Sequence, residues 1–204
     1  MAEFLMKPKI DRKEDFIMNG NLAYQEEPRE EMLGGRIQMM SSPTVNHSQI
    51  ASNIYYAFRS YLKGKTCRAF SDGVDVYLTD DDRVIPDAMI VCNKNIIKLD
   101  GIHGAPDLVV EVLSPGTAKN DKGYKKDLYK ESGVKEYWIV DPVSRTIEAY
   151  ILSDGKYALD EIYALYPTGL GITDKEREES KKEIPVSLYD DFSIPLEEIF
   201  QNML

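Results

Sequence analysis

Two carboxylates and a lysine-rich helix carry the residue types that could do chemistry in this chain. Asp87 follows Pro86 and leads into the apolar run Ala88-Met89-Ile90-Val91. Glu111 stands in the middle of Leu108-Val-Val-Glu-Val-Leu113, a run bounded by Pro106 and by Ser114-Pro115-Gly116. An ionised carboxylate inside an apolar strand is costly unless it is paired or binds a metal. Two such groups on neighbouring strands can share a divalent cation such as Mg2+ (or Mn2+), a hard ion that takes oxygen ligands and keeps several waters. That ion would polarise a phosphoryl oxygen and lower the pKa of a bound water. A lysine nearby would orient the water or stabilise charge on the phosphate. The chemistry this set suits is phosphodiester hydrolysis.

The elements that must position these groups are legible in the pattern. Side chains alternate along a strand, so Asp107, Val109, Glu111 and Leu113 share one face, while Leu108, Val110 and Val112 give the other to the core. Strands are expected at residues 66–70, 74–78 and 84–91, with 79–83 as a hairpin turn. The three acids Asp80, Asp81 and Asp82 in that turn read as a solvated loop rather than a metal site. A helix over 46–63, closed by Gly64, carries Ile50, Ile54, Ala57, Phe58, Tyr61 and Leu62 as one stripe. His47, at its start, reads either as a satisfied structural residue or as a phosphate or carboxylate contact. After the Glu111 strand, a helix over 118–132 ends at Gly133, with Gly123 inside it at a cost of about 1 kcal/mol. Residues 119–135 hold six lysines against three acids, a local excess beside the Glu111 strand. A strand at 135–140 follows, then a hairpin of 146–152 and 156–165 turning at Ser153-Asp154-Gly155. Residues 167–183 read as an exposed loop or short polar helix, and 194–200 as a short closing helix with Pro195 at its start.

Length and composition bound the rest. A chain of 204 residues, 43% hydrophobic and 29% charged, fits one compact domain. Gly34-Gly35 marks a tight turn into a strand at 36–40. The expected organisation is therefore an N-terminal segment, 1–34, packed on a single domain, 35–204. The polar first thirty residues have room for a short helix. No apolar run approaches the ~20 residues that span a bilayer, and no signal-peptide core is present at the start. Cys67 and Cys92 lack CxxC spacing and read as reduced, mostly buried thiols of a cytoplasmic protein. A net charge of −10 argues against a general nucleic-acid binder, but leaves room for a basic patch on an acidic body.

Ile85-Pro-Asp-Ala-Met-Ile90, Pro106-Asp-Leu-Val-Val-Glu-Val-Leu-Ser-Pro115 and Asp121-Lys-Gly-Tyr-Lys125, running on through Tyr129 to Gly133-Val-Lys-Glu-Tyr-Trp-Ile-Val-Asp-Pro142, resemble the Uma2 family of restriction-endonuclease-like proteins. That family belongs to the PD-(D/E)XK nuclease superfamily. The likeness runs over residues 35–150, with a weaker match at the closing helix. It implies an α/β (α+β) fold with a mixed central β-sheet flanked by helices, and a Mg2+-dependent site acting on DNA. Asp87 matches the Asp of the Pro-Asp motif, Glu111 the second acid, and the carbonyl of Val112 a further metal ligand. Leu113 stands where the superfamily pattern expects lysine. The resemblance places that lysine on the following helix at Lys125, with Lys122 and Lys126 as neighbours. It also makes Glu31, His47 and Asp121 accessory candidates and, by analogy, the working unit a homodimer. A different class of function remains open at this stage: a nuclease-like fold that binds nucleic acid or protein without catalysis. So does a structural reading, in which Asp87 and Glu111 are neutralised by Lys125 and Lys126.

Overall fold

The computed structural model describes residues 29–166, 173, 175 and 180–204. Its centre is β8 (Leu108–Val112), every residue of which is buried. One neighbour is β6 (Ala88–Val91), antiparallel; the other is β9 (Glu136–Asp141), parallel. Parallel neighbours need a crossover, here supplied by the helices α2 (Ala118–Lys122) and α3 (Tyr124–Ser132). With β3 (Arg68–Ser71), β10 (Thr146–Ser153) and β11 (Lys156–Ala164) the sheet has six strands, in the order β11-β10-β9-β8-β6-β3. It is the mixed, helix-flanked sheet expected from the sequence.

One face of the sheet is closed by α1 (Val45–Tyr61). Thr44 caps this helix, its hydroxyl accepting from the His47 amide at 3.2 Å. Its buried stripe of Ile50, Ala51, Ile54 and Phe58 packs on Ala88, Ile90, Leu108, Val110 and Trp138. Each large side chain buried there contributes about 1.5–3 kcal/mol. The other face packs Met89, Val91, Val109, Tyr137 and Ile139 against Leu128 and Tyr129 of α3. A second sheet joins that side, built from β1 (Glu30–Leu33), β2 (Arg36–Met39), β4 (Val76–Tyr77), β5 (Arg83–Val84) and β7 (Ile102–His103). The C-terminal pair β12 (Glu183–Pro185) and β13 (Ser193–Pro195) and the short α4 (Leu196–Ile199) complete the α1 side.

Several local differences from the sequence reading have clear causes. The run expected as one strand over 84–91 divides at Ile85-Pro86 into β5 and β6, which lie in different sheets. Proline has no N–H to give a ladder there. The helix expected over 118–132 breaks at Gly123 (φ −116°, ψ −100°); a Cβ at that position would meet the Lys119 carbonyl at 2.8 Å. Gly34 and Gly35 form the expected turn, both at positive φ. Glu30–Leu33, just before that turn, pairs with β2 and β5 as part of the second sheet. The short helix expected within the first thirty residues falls almost wholly outside the described residues, as does most of the loop 167–183.

Two expectations are corrected. Cys67 and Cys92 are not reduced thiols: they form a disulfide. They sit one residue outside β3 and β6, whose antiparallel register pairs Arg68 with Val91, so the fold places them opposite each other despite a separation of 25 residues. Nor is the Asp80–Asp82 turn wholly solvated, because Asp82 is buried. Its Oδ1 accepts from the Gly34 amide and from the Tyr124 hydroxyl, both at 2.8 Å, and its Oδ2 from the Thr79 hydroxyl at 2.7 Å. Burial works against the charge, but these three donors outweigh it and hold the Asp82 pKa below its ordinary value. A carboxylate of that kind stabilises the fold fully above its unfolded pKa, and the contribution is lost as pH falls through the lower folded pKa. Asp82→Asn is therefore expected to cost about 2 kcal/mol at pH 7. The difference from wild type should shrink as pH falls below the ordinary carboxylate range, read by urea unfolding across pH; a constant gap would refute the role of the charge.

Candidate functional site

Asp87 precedes β6, and its amide donates to the Val110 carbonyl across to β8. The carboxylate is held at both oxygens. Oδ2 accepts from the Val112 amide at 2.7 Å, and Oδ1 meets His47 Nε2 at 2.9 Å. His47 reaches it because the Thr44 cap sets the start of α1 beside the entry to β6. The partner the fold gives His47 is thus a carboxylate of the chain itself. Burial lowers the His47 pKa, but the bond to Asp87 and its charge outweigh this and leave it raised. His47 Nδ1 is buried without a hydrogen-bond partner among the described residues.

Glu111 lies on the α3 side of β8, 4% exposed. Its Oε1 accepts from the Tyr129 hydroxyl at 2.6 Å and from Lys125 Nζ at 3.2 Å. Burial pushes its pKa well up, and Lys125 opposes that rise. Lys125 sits in the first turn of α3, only 2% exposed. Its ammonium lies 2.8 Å from Glu31, 3.2 Å from Glu111 and 3.5 Å from Asp121. Burial alone would lower its pKa; the charges of Glu111, Glu31 and Asp121 reverse this and raise it above the ordinary value. Glu31 comes from β1, and its Oε1 also accepts from the Ile85 amide at 2.9 Å. Asp121, one helical turn before Lys125, has its pKa raised by burial against the pull of Lys125 and of the Thr117 hydroxyl.

The fold thus brings Asp87, Glu111, Lys125, Glu31, His47 and Asp121 into one neighbourhood. Asp87, Glu111, Val112, His47 and Lys125 line one cavity of about 40 Å³. The other two lysines turn away: Lys122 pairs with Glu148 at 2.6 Å, and Lys126 lies 3.5 Å over the Tyr150 ring. Asp87 therefore has a histidine for its partner and not a lysine. Most of the remaining lysine excess is engaged as well, Lys130 with Asp127 and Lys135 with Asp107.

Sequence reasoning missed Tyr129 as a site residue, although its place four residues after Lys125 puts both on one face of a helix. It also missed Arg29, which lines the cavity and pairs with Asp72.

The donor set fits a hard divalent ion. Asp87, Glu111 and the Val112 carbonyl offer oxygens only, and the cavity has room for about three water-sized particles at roughly 10–15 Å³ each. Among the described residues no group of three or more His, Cys, Asp or Glu converges as a dedicated metal cage. Mg2+ does not require one, since it is commonly held by one or two carboxylates with its waters retained.

A mixed, helix-flanked sheet whose central strands carry two acids is a nuclease-like architecture. The chain belongs to the Uma2 family, whose model, described as "Putative restriction endonuclease", matches residues 20–173. A relative from Synechocystis sp., the uncharacterized protein slr1290, is 30% identical over 137 residues, covering 65% of this chain and 72% of the relative. The fold is shared with the crystal structure of a putative nuclease belonging to DUF820 from Anabaena variabilis: TM-score 0.65, 21% identity, 86% of this chain and 91% of that one.

Proposed function

We propose that this protein is a Mg2+-dependent endonuclease that hydrolyses phosphodiester bonds of DNA. The observation that carries the reading is the meeting of Asp87 and Glu111, from adjacent strands, in one cavity with a buried lysine. Asp87, Glu111 and the carbonyl of Val112 would hold Mg2+ or Mn2+, which when bound polarises the phosphoryl oxygen and makes water a better nucleophile. The chain's own groups set the stage for that ion. His47 and the Val112 amide fix the Asp87 carboxylate, while Tyr129 and Lys125 fix Glu111. With its pKa raised by three acids, Lys125 stays protonated. It would therefore offer positive charge to the phosphate or orient the water, and would not take up a proton at neutral pH. Glu31 and Asp121 act as positioning residues for that ammonium. Each cavity provides one such set and so would cut one strand; the proposed unit for duplex cleavage is a homodimer.

A calorimetric titration of Mg2+ and Mn2+ into wild type and Asp87→Asn tests the site, with plasmid cleavage followed in parallel. Binding and cleavage by wild type, both lost in the variant, are expected. Cleavage by Asp87→Asn at the wild-type rate would sink the assignment. One observation favours a second reading, that of a buried ion network with a structural role: Lys125 is already paired to Glu31 and Glu111.

A further inference from the structure

Residues 59–71 contain four cations, Arg59, Lys63, Lys65 and Arg68, and no acid, in a chain of net charge −10. All four are exposed. They line an open groove of about 620 Å³ between the C-terminal end of α1 and the edge strand β3, and no acidic side chain lines it. Among the described residues Arg59, Lys63 and Arg68 form no ion pair. Lys65 Nζ lies 3.9 Å over the Tyr61 ring, and Asp191, an acid whose charge acts on it, is held by the Tyr61 hydroxyl. Cations at a helix C-terminus complement its dipole, which accounts for Arg59 and Lys63. It does not account for Arg68 on the strand, nor for the absence of any acid.

We propose that this groove is a contact surface for the phosphate backbone of duplex DNA, the flanking part of the duplex cut at the Asp87–Glu111 site; the proposal rests on the nuclease reading. The fold connects the two places. Ser71, at the far end of β3, pairs with Ala88, the residue after Asp87, and Asp72 lines the site cavity. Arg68 is three residues back along the strand, about 10 Å at 3.3 Å per residue. That corresponds to about three base pairs of duplex at 3.4 Å each. The site itself holds more carboxylates than cations and repels a polyanion, so affinity must come from its surroundings. The lysines of α2 and α3 are mostly engaged with acids or rings. The groove between the end of α1 and β3 gathers four cations with no acid among its lining residues.

The test compares wild type with the triple variant Arg59→Gln/Lys63→Gln/Arg68→Gln, all exposed positions, with folding checked by circular dichroism. Binding to a fluorescein-labelled duplex is followed by anisotropy over a salt series in EDTA, with plasmid cleavage in Mg2+ measured in parallel. Removing three phosphate contacts should make the slope of log Kd against log salt shallower by about 3, with Mg2+ binding unchanged. A wild type that cleaves and a variant with the same salt slope would overturn the groove and leave the nuclease reading standing. A wild type that neither cleaves nor binds the duplex would overturn both.

Discussion

Lys125→Met is expected to destabilise the protein by about 3–5 kcal/mol, because it removes one partner of a buried charge cluster and leaves the others uncompensated. Glu31, Glu111 and Asp121 all lie within 3.5 Å of that ammonium, and each is buried. Methionine fills similar volume, so the loss reports charge and not a cavity. In a domain of this size each kcal/mol moves Tm by about 2–4 °C, so a fall of roughly 10 °C is expected in thermal unfolding. Cleavage should disappear at the same time, at temperatures where the variant is still folded. A variant within about 2 °C of wild type would mean that the three acids do not depend on Lys125 for their neutralisation.

Glu111→Gln should separate function from stability in the opposite way. Cleavage is expected to fall at least about 10³-fold, equivalent to roughly 4 kcal/mol of transition-state stabilisation. Stability should hold or rise slightly. Lys125 keeps Glu31 and Asp121 as partners, the surplus of buried negative charge falls, and the amide oxygen still accepts from Tyr129. Burial already pushes the Glu111 pKa well up, so the charged form is the one the fold resists, and a neutral isostere relieves that. The ion-network reading demands the reverse, a clear loss of stability with no activity to lose. Denaturant unfolding and plasmid cleavage on the same preparation decide between the two.

What the sequence shows about this site, and what it hides, follows from the range of the interactions. β8 was legible because its apolar run is local and bounded by proline and glycine signals. Asp87 and Glu111 stood out as conflicts between a charged residue and an apolar strand. The neighbourhood of Lys125 was another matter. Its shortest contact, Glu31, lies 94 residues away, and the bond of His47 to Asp87 spans 40; no local pattern encodes either. The Cys67–Cys92 disulfide depends on a strand register, which sets which residues face each other only once the strands are paired. The lysine excess over 119–135 was read correctly as composition. Most of that charge is nevertheless engaged once Glu148, Asp127, Asp107 and the Tyr150 ring are packed beside it. Tyr129 was hidden by its type, since a tyrosine on a helix reads as core until a carboxylate is found at its hydroxyl.

The position of β8 between an antiparallel and a parallel neighbour has a consequence for the newly made chain. Every residue of the proposed site has been added to the chain once Tyr129 is in place, yet β8 still lacks β9, and α3 lacks the Tyr137 and Ile139 part of the face it packs on. Pairings this distant in sequence must overcome their closure entropy before they are rewarded. A growing chain therefore carries all of the site's groups in an unassembled form, and they come into register only with the cooperative closing of the sheet. Synthesis would then produce no partly folded cutter, because the step that completes the core is the step that completes the site.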